Sequence, residues 1–121
     1  MTSILIVDDE IGVRQSLKML LKNDYEVFLA ENAEEAFSQI EEHSPKVILL
    51  DITLPDLDGF KVLERIKQDH SNAIVIVMTG SIMTEEMVLE VERFKAYGYV
   101  SKPFDINELR LMITQSLTTK A

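Results

Sequence analysis

The chain of 121 residues contains no cysteine, which excludes a disulfide framework, a thiolate metal centre and a cysteine nucleophile. That absence agrees with a reducing compartment. Long hydrophobic runs are missing too. The longest unbroken apolar stretch, Ala73 to Met78, falls far short of the roughly 18 residues that a membrane-spanning helix needs. Met1-Thr2-Ser3 offers neither the basic start nor the apolar stretch of a secretory leader. A soluble, cytoplasmic protein without a membrane partner is therefore expected. Cations are scarce: 12 Lys and Arg stand against 21 Asp and Glu, a formal charge of −9. Such a surface repels the phosphates of nucleic acid and of anionic lipid, so no direct nucleic-acid binding is expected. Any phosphate handled here must be met by a local cation, from a side chain or a metal ion. No internal repeat, linker or low-complexity tract is visible.

What is present is globular in character, with 46% hydrophobic and 27% charged residues. The length suits one domain, expected as a complete unit over residues 1–121. At this size folding buries roughly two-thirds of the surface exposed by the unfolded chain. Three apolar blocks are continuous rather than alternating: Ile4 to Val7, Val47 to Leu50, and Ala73 to Met78. Short β-branched runs of this kind suit strands buried on both faces of a parallel sheet. Tyr25 to Ala30 and Tyr97 to Ser101 are weaker strand candidates, nearer an edge.

Between the strands the period becomes helical. Val13, Leu17, Leu20 and Leu21 share one face, as do Ala33, Ala36, Phe37 and Ile40. Phe60, Leu63 and Ile66 mark a third helix, Met83, Met87, Val91 and Phe94 a fourth, and Ile106, Leu109, Ile113 and Leu117 a fifth. Asn32 with Glu35, and Asp105 with Glu108, have the spacing of an N-cap and its reciprocal acidic partner. Five strand–helix repeats predict an α/β fold, with a parallel sheet and right-handed crossovers.

In such a sheet the carboxyl ends of the strands lie along one edge, where ligands bind. Asp8-Asp9-Glu10 comes after the first strand, Asp51 after the third, Thr79 after the fourth and Lys102 after the fifth. The second strand contributes nothing comparable. Taken singly, the acidic triplet could cap a helix, Asp51 could be a loop residue and Lys102 a solvated surface lysine. Their joint placement on one edge favours a site. Crowded carboxylates bind either a proton or a hard cation, and oxygen ligands in a small site suit magnesium. One carboxylate could then attack a phosphoryl group to form an acyl phosphate, with the metal, Lys102 and the Thr79 hydroxyl offsetting the transferred charge.

Four motifs carry a resemblance over essentially the whole chain: Ile4-Leu5-Ile6-Val7-Asp8-Asp9-Glu10, Asp51-Ile52-Thr53-Leu54-Pro55-Asp56-Leu57-Asp58-Gly59, Met78-Thr79-Gly80 and Ser101-Lys102-Pro103-Phe104. In this order and spacing the sequence resembles the receiver domain of two-component response regulators, of the chemotaxis-regulator kind. The resemblance implies a doubly wound, flavodoxin-like sheet in the order 2-1-3-4-5, flanked by five helices. It implies Asp51 as phosphoacceptor, with Asp8 and Asp9 as the acidic pair for Mg2+. Asp9 and Asp51 would ligate directly and the Thr53 backbone carbonyl would add a ligand. Lys102 would pair with the phosphoryl group and precede a cis proline. Thr79 and Tyr99 would be the switch pair. Asp58-Gly59 would open the third helix, and Pro55 would stiffen the loop after Asp51.

The same resemblance makes the positions two beyond the acceptor and two beyond the switch threonine tune the phosphoryl lifetime. Here they are Thr53 and Ser81, small hydroxyls that position water poorly, so slow self-dephosphorylation is expected. A histidine kinase or phosphotransfer protein would donate to Asp51. The face formed by the fourth helix, fifth strand and fifth helix would then control a partner, an output domain or a second copy of the chain. Such a domain catalyses only its own phosphorylation and dephosphorylation.

Two alternatives compete with this reading. A haloacid-dehalogenase-like phosphohydrolase also uses a strand-end aspartate, but needs a second Asp where Thr53 stands. A phosphorylation-independent pseudo-receiver would not need Asp8, Asp9, Asp51, Thr79 and Lys102 together. Other residues read as structural: His43 and His70 as surface positions beside helix ends, Met83 and Met87 as chiefly core, and Glu31, Glu34, Glu35, Glu41 and Glu42 as a solvated helix face.

Overall fold

Strands apolar on both faces must be covered on both, and that requirement organises the molecule. The structure, a computed structural model, describes residues 1–80 and 82–118. Its elements alternate as β1 Ser3–Val7, α1 Ile11–Leu21, β2 Glu26–Ala30, α2 Ala33–His43, β3 Val47–Asp51, α3 Gly59–Asp69, β4 Ile74–Thr79, α4 Glu85–Arg93, β5 Gly98–Ser101 and α5 Ile106–Thr118. All neighbouring strands are parallel, in the order β2-β1-β3-β4-β5. The expected doubly wound topology is present.

Alternation along the strands divides the core in two. Leu5, Val7, Ile48, Leu50, Val75 and Val77 face α2, α3 and α4, where Ala36, Ile40, Leu63 and Val91 cover them. Ile4, Ile6, Val47, Leu49, Ile76 and Met78 face α1 and α5, covered by Leu17, Leu21, Leu109 and Ile113. The chain reverses its winding between β1 and β3, so the loops after these strands flank the crevice of an open α/β sheet.

The edge strands are shorter than their sequence signals. β2 begins at Glu26 rather than Tyr25, and β5 at Gly98 rather than Tyr97. Leu20, expected on the buried face of α1, is 40% exposed because Leu17 and Leu21 already fill the contact with the sheet. Met83 lies ahead of α4 and Phe94 caps its end, since Thr84 closes the helix start by accepting a bond from the Met87 amide. Met83 still packs on the core, while Met87 is half-buried between α3 and α4. Asn32 accepts from the Glu35 amide as expected, but the Glu35 carboxylate accepts from the Glu31 amide rather than from the Asn32 amide one residue later. Asp105 accepts from the Asn107 amide, at the start of α5. His43 stacks on Phe28 and His70 pairs with Glu41 at 3.2 Å, both at helix ends. No helix among the described residues is long and apolar enough to cross a membrane.

The approach of α3 to the loop after β3 demands a glycine. A Cβ on Gly59 would lie 2.2 Å from the Ile52 Cα, and the Gly59 amide already donates to the Ile52 carbonyl at 3.1 Å. Backbone offers no flexible tip that could yield. Gly12, in α1, has open space around it. Gly59→Ala should therefore destabilise the fold by about 2–3 kcal/mol, whereas Gly12→Ala should stabilise it by about 0.5–1 kcal/mol. Chemical denaturation of the two variants checks the contrast; equal effects would contradict the tight contact at Gly59.

Candidate functional site

Strand register builds the site. Val7 pairs with Leu50, Asp51 with Met78, and Thr79 with Ser101. Asp8, Asp51, Thr79 and Lys102 therefore emerge side by side at the carboxyl edge, although the chain separates the outer two by more than 90 positions. Asp8, Asp51 and Thr79 are buried; Asp9 and Glu10 are exposed.

Lys102 draws the edge together. Its Nζ lies 2.7 Å from Asp8 Oδ2, 3.2 Å from Asp51 Oδ2 and 3.4 Å from Glu10 Oε1. Its backbone is fixed as well, with the amide donating to the Thr79 carbonyl at 2.7 Å and a cis peptide to Pro103 coming next. The loops hold the carboxylates from the other side. Asp51 Oδ1 accepts from the Thr53 amide at 2.8 Å, and Asp8 Oδ1 from the Glu10 amide at 2.9 Å. Glu10 occupies the N-cap of α1 without capping it through its side chain. Its carboxylate reaches Lys102 instead, so the capping role weighed for this triplet falls away at Glu10.

Four carboxylates thus gather around one ammonium that touches three of them. Burial is the strongest influence on Asp51 and raises its pKa. The Thr53 amide lowers it, Asp8 raises it, Lys102 lowers it again, and the net displacement is upward. For Lys102, burial works downward, but contact with Asp8 and the charge of Asp51 outweigh it and leave the ammonium held well above its ordinary value. Lys102 is therefore a fixed cation.

The residues present fit a hard divalent ion. Carboxylate oxygens of Asp8, Asp9 and Glu10 lie within 4.8 Å of one another. Asp8 Oδ2 is buried and meets Lys102 as a charge contact, without a well-directed hydrogen bond. An all-oxygen cluster in which four carboxylates face one ammonium is a suitable magnesium environment.

Thr79 and Tyr99 lie on the α4 side of neighbouring strands by alternation, two register positions apart, since Tyr99 pairs with Val77 and Thr79 with Ser101. Tyr99 is 39% exposed, with its ring towards the surface of the edge strand. Thr53 is exposed and sits in the loop after Asp51, bridged to Asp58. Asp58 accepts from the Phe60 amide and opens α3, while Pro55 is exposed. Ser81 lies outside the described residues. Sequence reasoning missed Arg14 and Asp56. Arg14 donates to the Asp8 carbonyl at 2.7 Å and pairs with Glu31 at 3.7 Å. Asp56 bonds the first two amides of α2. Both act through backbone groups, and only an arginine six residues after the aspartate hinted at either.

Comparison with known proteins places this geometry. The response regulator receiver domain family matches residues 4–114. Sporulation initiation phosphotransferase F of Bacillus subtilis is 36% identical, over 98% of this chain and 95% of that protein. Response regulator Rre1 of Synechocystis is 34% identical over 95% of this chain, which spans only 51% of that longer protein. Among solved structures, a CheY-like response regulator receiver domain protein from Methanospirillum hungatei superposes with a TM-score of 0.92. It is 31% identical, covering 97% of this chain and 94% of that one.

The raised Asp51 carboxyl sets a stability trend. A folded-state pKa above the unfolded value of 3.8 means that stability is full below that value and declines as pH rises through the folded one. Asp51→Asn removes the buried charge and keeps an acceptor for Thr53. Its Tm should exceed the wild-type value by about 5 °C near neutral pH without magnesium, and the gain should vanish towards acid pH. Thermal melts across pH check this; a gain that persists below the unfolded pKa would contradict the charge explanation.

Proposed function

We infer the function from one premise: this chain belongs to the response regulator receiver domain family. It is a receiver domain of phosphorelay signalling in two-component systems. Within that role Asp51 is the phosphoacceptor. The observation that carries this assignment is Lys102 Nζ held 3.2 Å from Asp51 Oδ2 and 2.7 Å from Asp8 Oδ2 at a sheet edge.

Asp8, Asp9 and Asp51, with the Thr53 carbonyl, would hold Mg2+, and the Glu10 carboxylate lies beside those of Asp8 and Asp9. The bound ion supplies charge neutralisation and a template for phosphoryl oxygens. The chain supplies the rest. A carboxylate oxygen of Asp51 attacks the phosphorus of a phosphohistidine on a histidine kinase or phosphotransfer protein. The P–N bond breaks, the imidazole nitrogen keeps the electron pair and takes a proton from solvent, and an acyl phosphate remains. Lys102 stays protonated throughout and pairs with the transferred oxygens. The Thr53 amide on Asp51 Oδ1 orients the nucleophile.

The phosphoryl group then competes for Lys102 and for the Thr79 hydroxyl. Thr79 and Tyr99 share a face beside α4, which supports them as the switch pair. Leu89 at 61% exposed and Leu111 at 57%, with Tyr97 and Tyr99, give the α4–β5–α5 face apolar content suited to a partner, an output domain or a second copy of the chain. Thr53 and Ser81 are small hydroxyls at the positions that tune phosphoryl lifetime in the family, so the phosphoryl group is long-lived. The domain turns over no external substrate, and its activity is confined to its own Asp51. A phosphohydrolase of the haloacid-dehalogenase kind is not favoured, because Thr53 stands where the second aspartate is needed.

Incubation with phosphoramidate and Mg2+ tests the assignment. Wild type should gain one phosphoryl group, acid-stable and base-labile by mass spectrometry, and Asp51→Asn should gain none. An equal adduct on the variant would remove Asp51 from the role.

A further inference from the structure

The second strand sends no chemical side chain to the site, yet the corner between β2 and α2 touches both acidic loops. On one side the Asp8 amide donates to the Ala30 carbonyl at 3.1 Å. Arg14 reinforces that contact, gripping the Asp8 carbonyl at 2.7 Å while its other nitrogen pairs with Glu31. On the opposite side the corner receives Asp56, from the loop that carries Thr53. Asp56 Oδ1 accepts from the Ala33 amide at 2.9 Å and Oδ2 from the Glu34 amide at 3.1 Å.

We propose that Asp56 is a positioning residue of the acidic pocket, tying the Thr53 loop to a corner that also fixes the Asp8 backbone. Three observations support a role beyond capping α2. Asn32 already caps that helix through the Glu35 amide, so α2 keeps a cap of its own without Asp56. The loop from Ile52 to Asp58 is anchored to β4 by the Ile52 amide on the Met78 carbonyl and to the core by Ile52, Leu54 and Leu57, and the Asp56 carboxylate is what bonds it to the β2–α2 corner. The two bonds of Asp56 are charge-assisted, made by a carboxylate to amides at a helix N-terminus. The Ala33 amide above all holds that carboxyl below its ordinary pKa, so it is ionised at neutral pH. The corner thereby sets the separation between the backbone of Asp8 and that of Thr53, the two sides between which an ion must fit.

This inference rests on the proposed magnesium pocket. Groups that orient metal ligands without touching the metal commonly change affinity by 10- to 100-fold. Mg2+ titration by isothermal calorimetry should show Asp56→Ala binding roughly tenfold more weakly than wild type. Asp56→Asn, which keeps an acceptor oxygen, should recover part of the loss. Asn32→Ala should lower the unfolding midpoint without changing the affinity, since it removes a cap at the same helix end and nothing else. Binding by Asp56→Ala within about twofold of wild type would overturn the proposal, being well below the change expected of such residues. Should that variant fail to fold, Asp56→Asn decides alone: weaker binding supports the proposal and unchanged binding overturns it. Should wild type itself not bind Mg2+, the pocket assignment fails, and the tie is judged by hydrogen exchange at the Thr53 amide. Faster exchange in the Asp56 variants supports it, and unchanged exchange overturns it.

Discussion

Lys102 reaches Asp8, Asp51 and Glu10 from the loop after the last strand, so one ammonium joins the ends of β1, β3 and β5. Carboxylates buried this closely repel one another, and taking them out of water is expensive without a partner. The lysine offsets part of that repulsion and leaves the pocket over-acidic. That residual charge suits a divalent ion and, on the proposed function, a phosphoryl group beside it. Stability and function pull against each other here, as they do at many active sites. Removing the Asp51 charge should relieve the fold and, on the proposed function, end the chemistry.

Strand alternation separates two tasks on the same edge. Asp8, Asp51 and Lys102 continue the alternation of Ile6, Leu49 and Val100, which face α1 and α5. Thr79 and Tyr99 continue that of Val77, which faces α2, α3 and α4. The proposed chemistry on one side of the sheet and the proposed response on the other meet at one strand end, where the Lys102 amide donates its hydrogen bond to the Thr79 carbonyl.

Much of this was legible in the amino-acid order. Continuous apolar blocks such as Val47 to Leu50 marked doubly covered strands, and the polar residues after them marked the edge. The acidic triplet, Asp51, Thr79 and Lys102 came together where alternation of strands and helices requires. Edge strands were less legible, because one neighbour and a solvated face leave Tyr25 and Tyr97 outside the ladder while their composition still suits a strand. Arg14 and Asp56 were illegible for a different reason. Each bonds backbone atoms of a distant loop, and backbone atoms leave no trace in residue identity. Glu10 stood in plain sight but was indistinguishable from a helix cap until its side chain was seen to turn towards Lys102.

The central claim is that one ammonium makes the crowded carboxylates tolerable, and Lys102→Met tests it most directly. Unfolding of wild type and variant is monitored across pH in the absence of divalent ions. The variant should lose about 3 kcal/mol near neutral pH, the scale of breaking a buried ion pair, and the deficit should shrink steadily as acid neutralises the pocket. A deficit of the same size at every pH would mean that the lysine stem contributes packing alone, and would contradict the account.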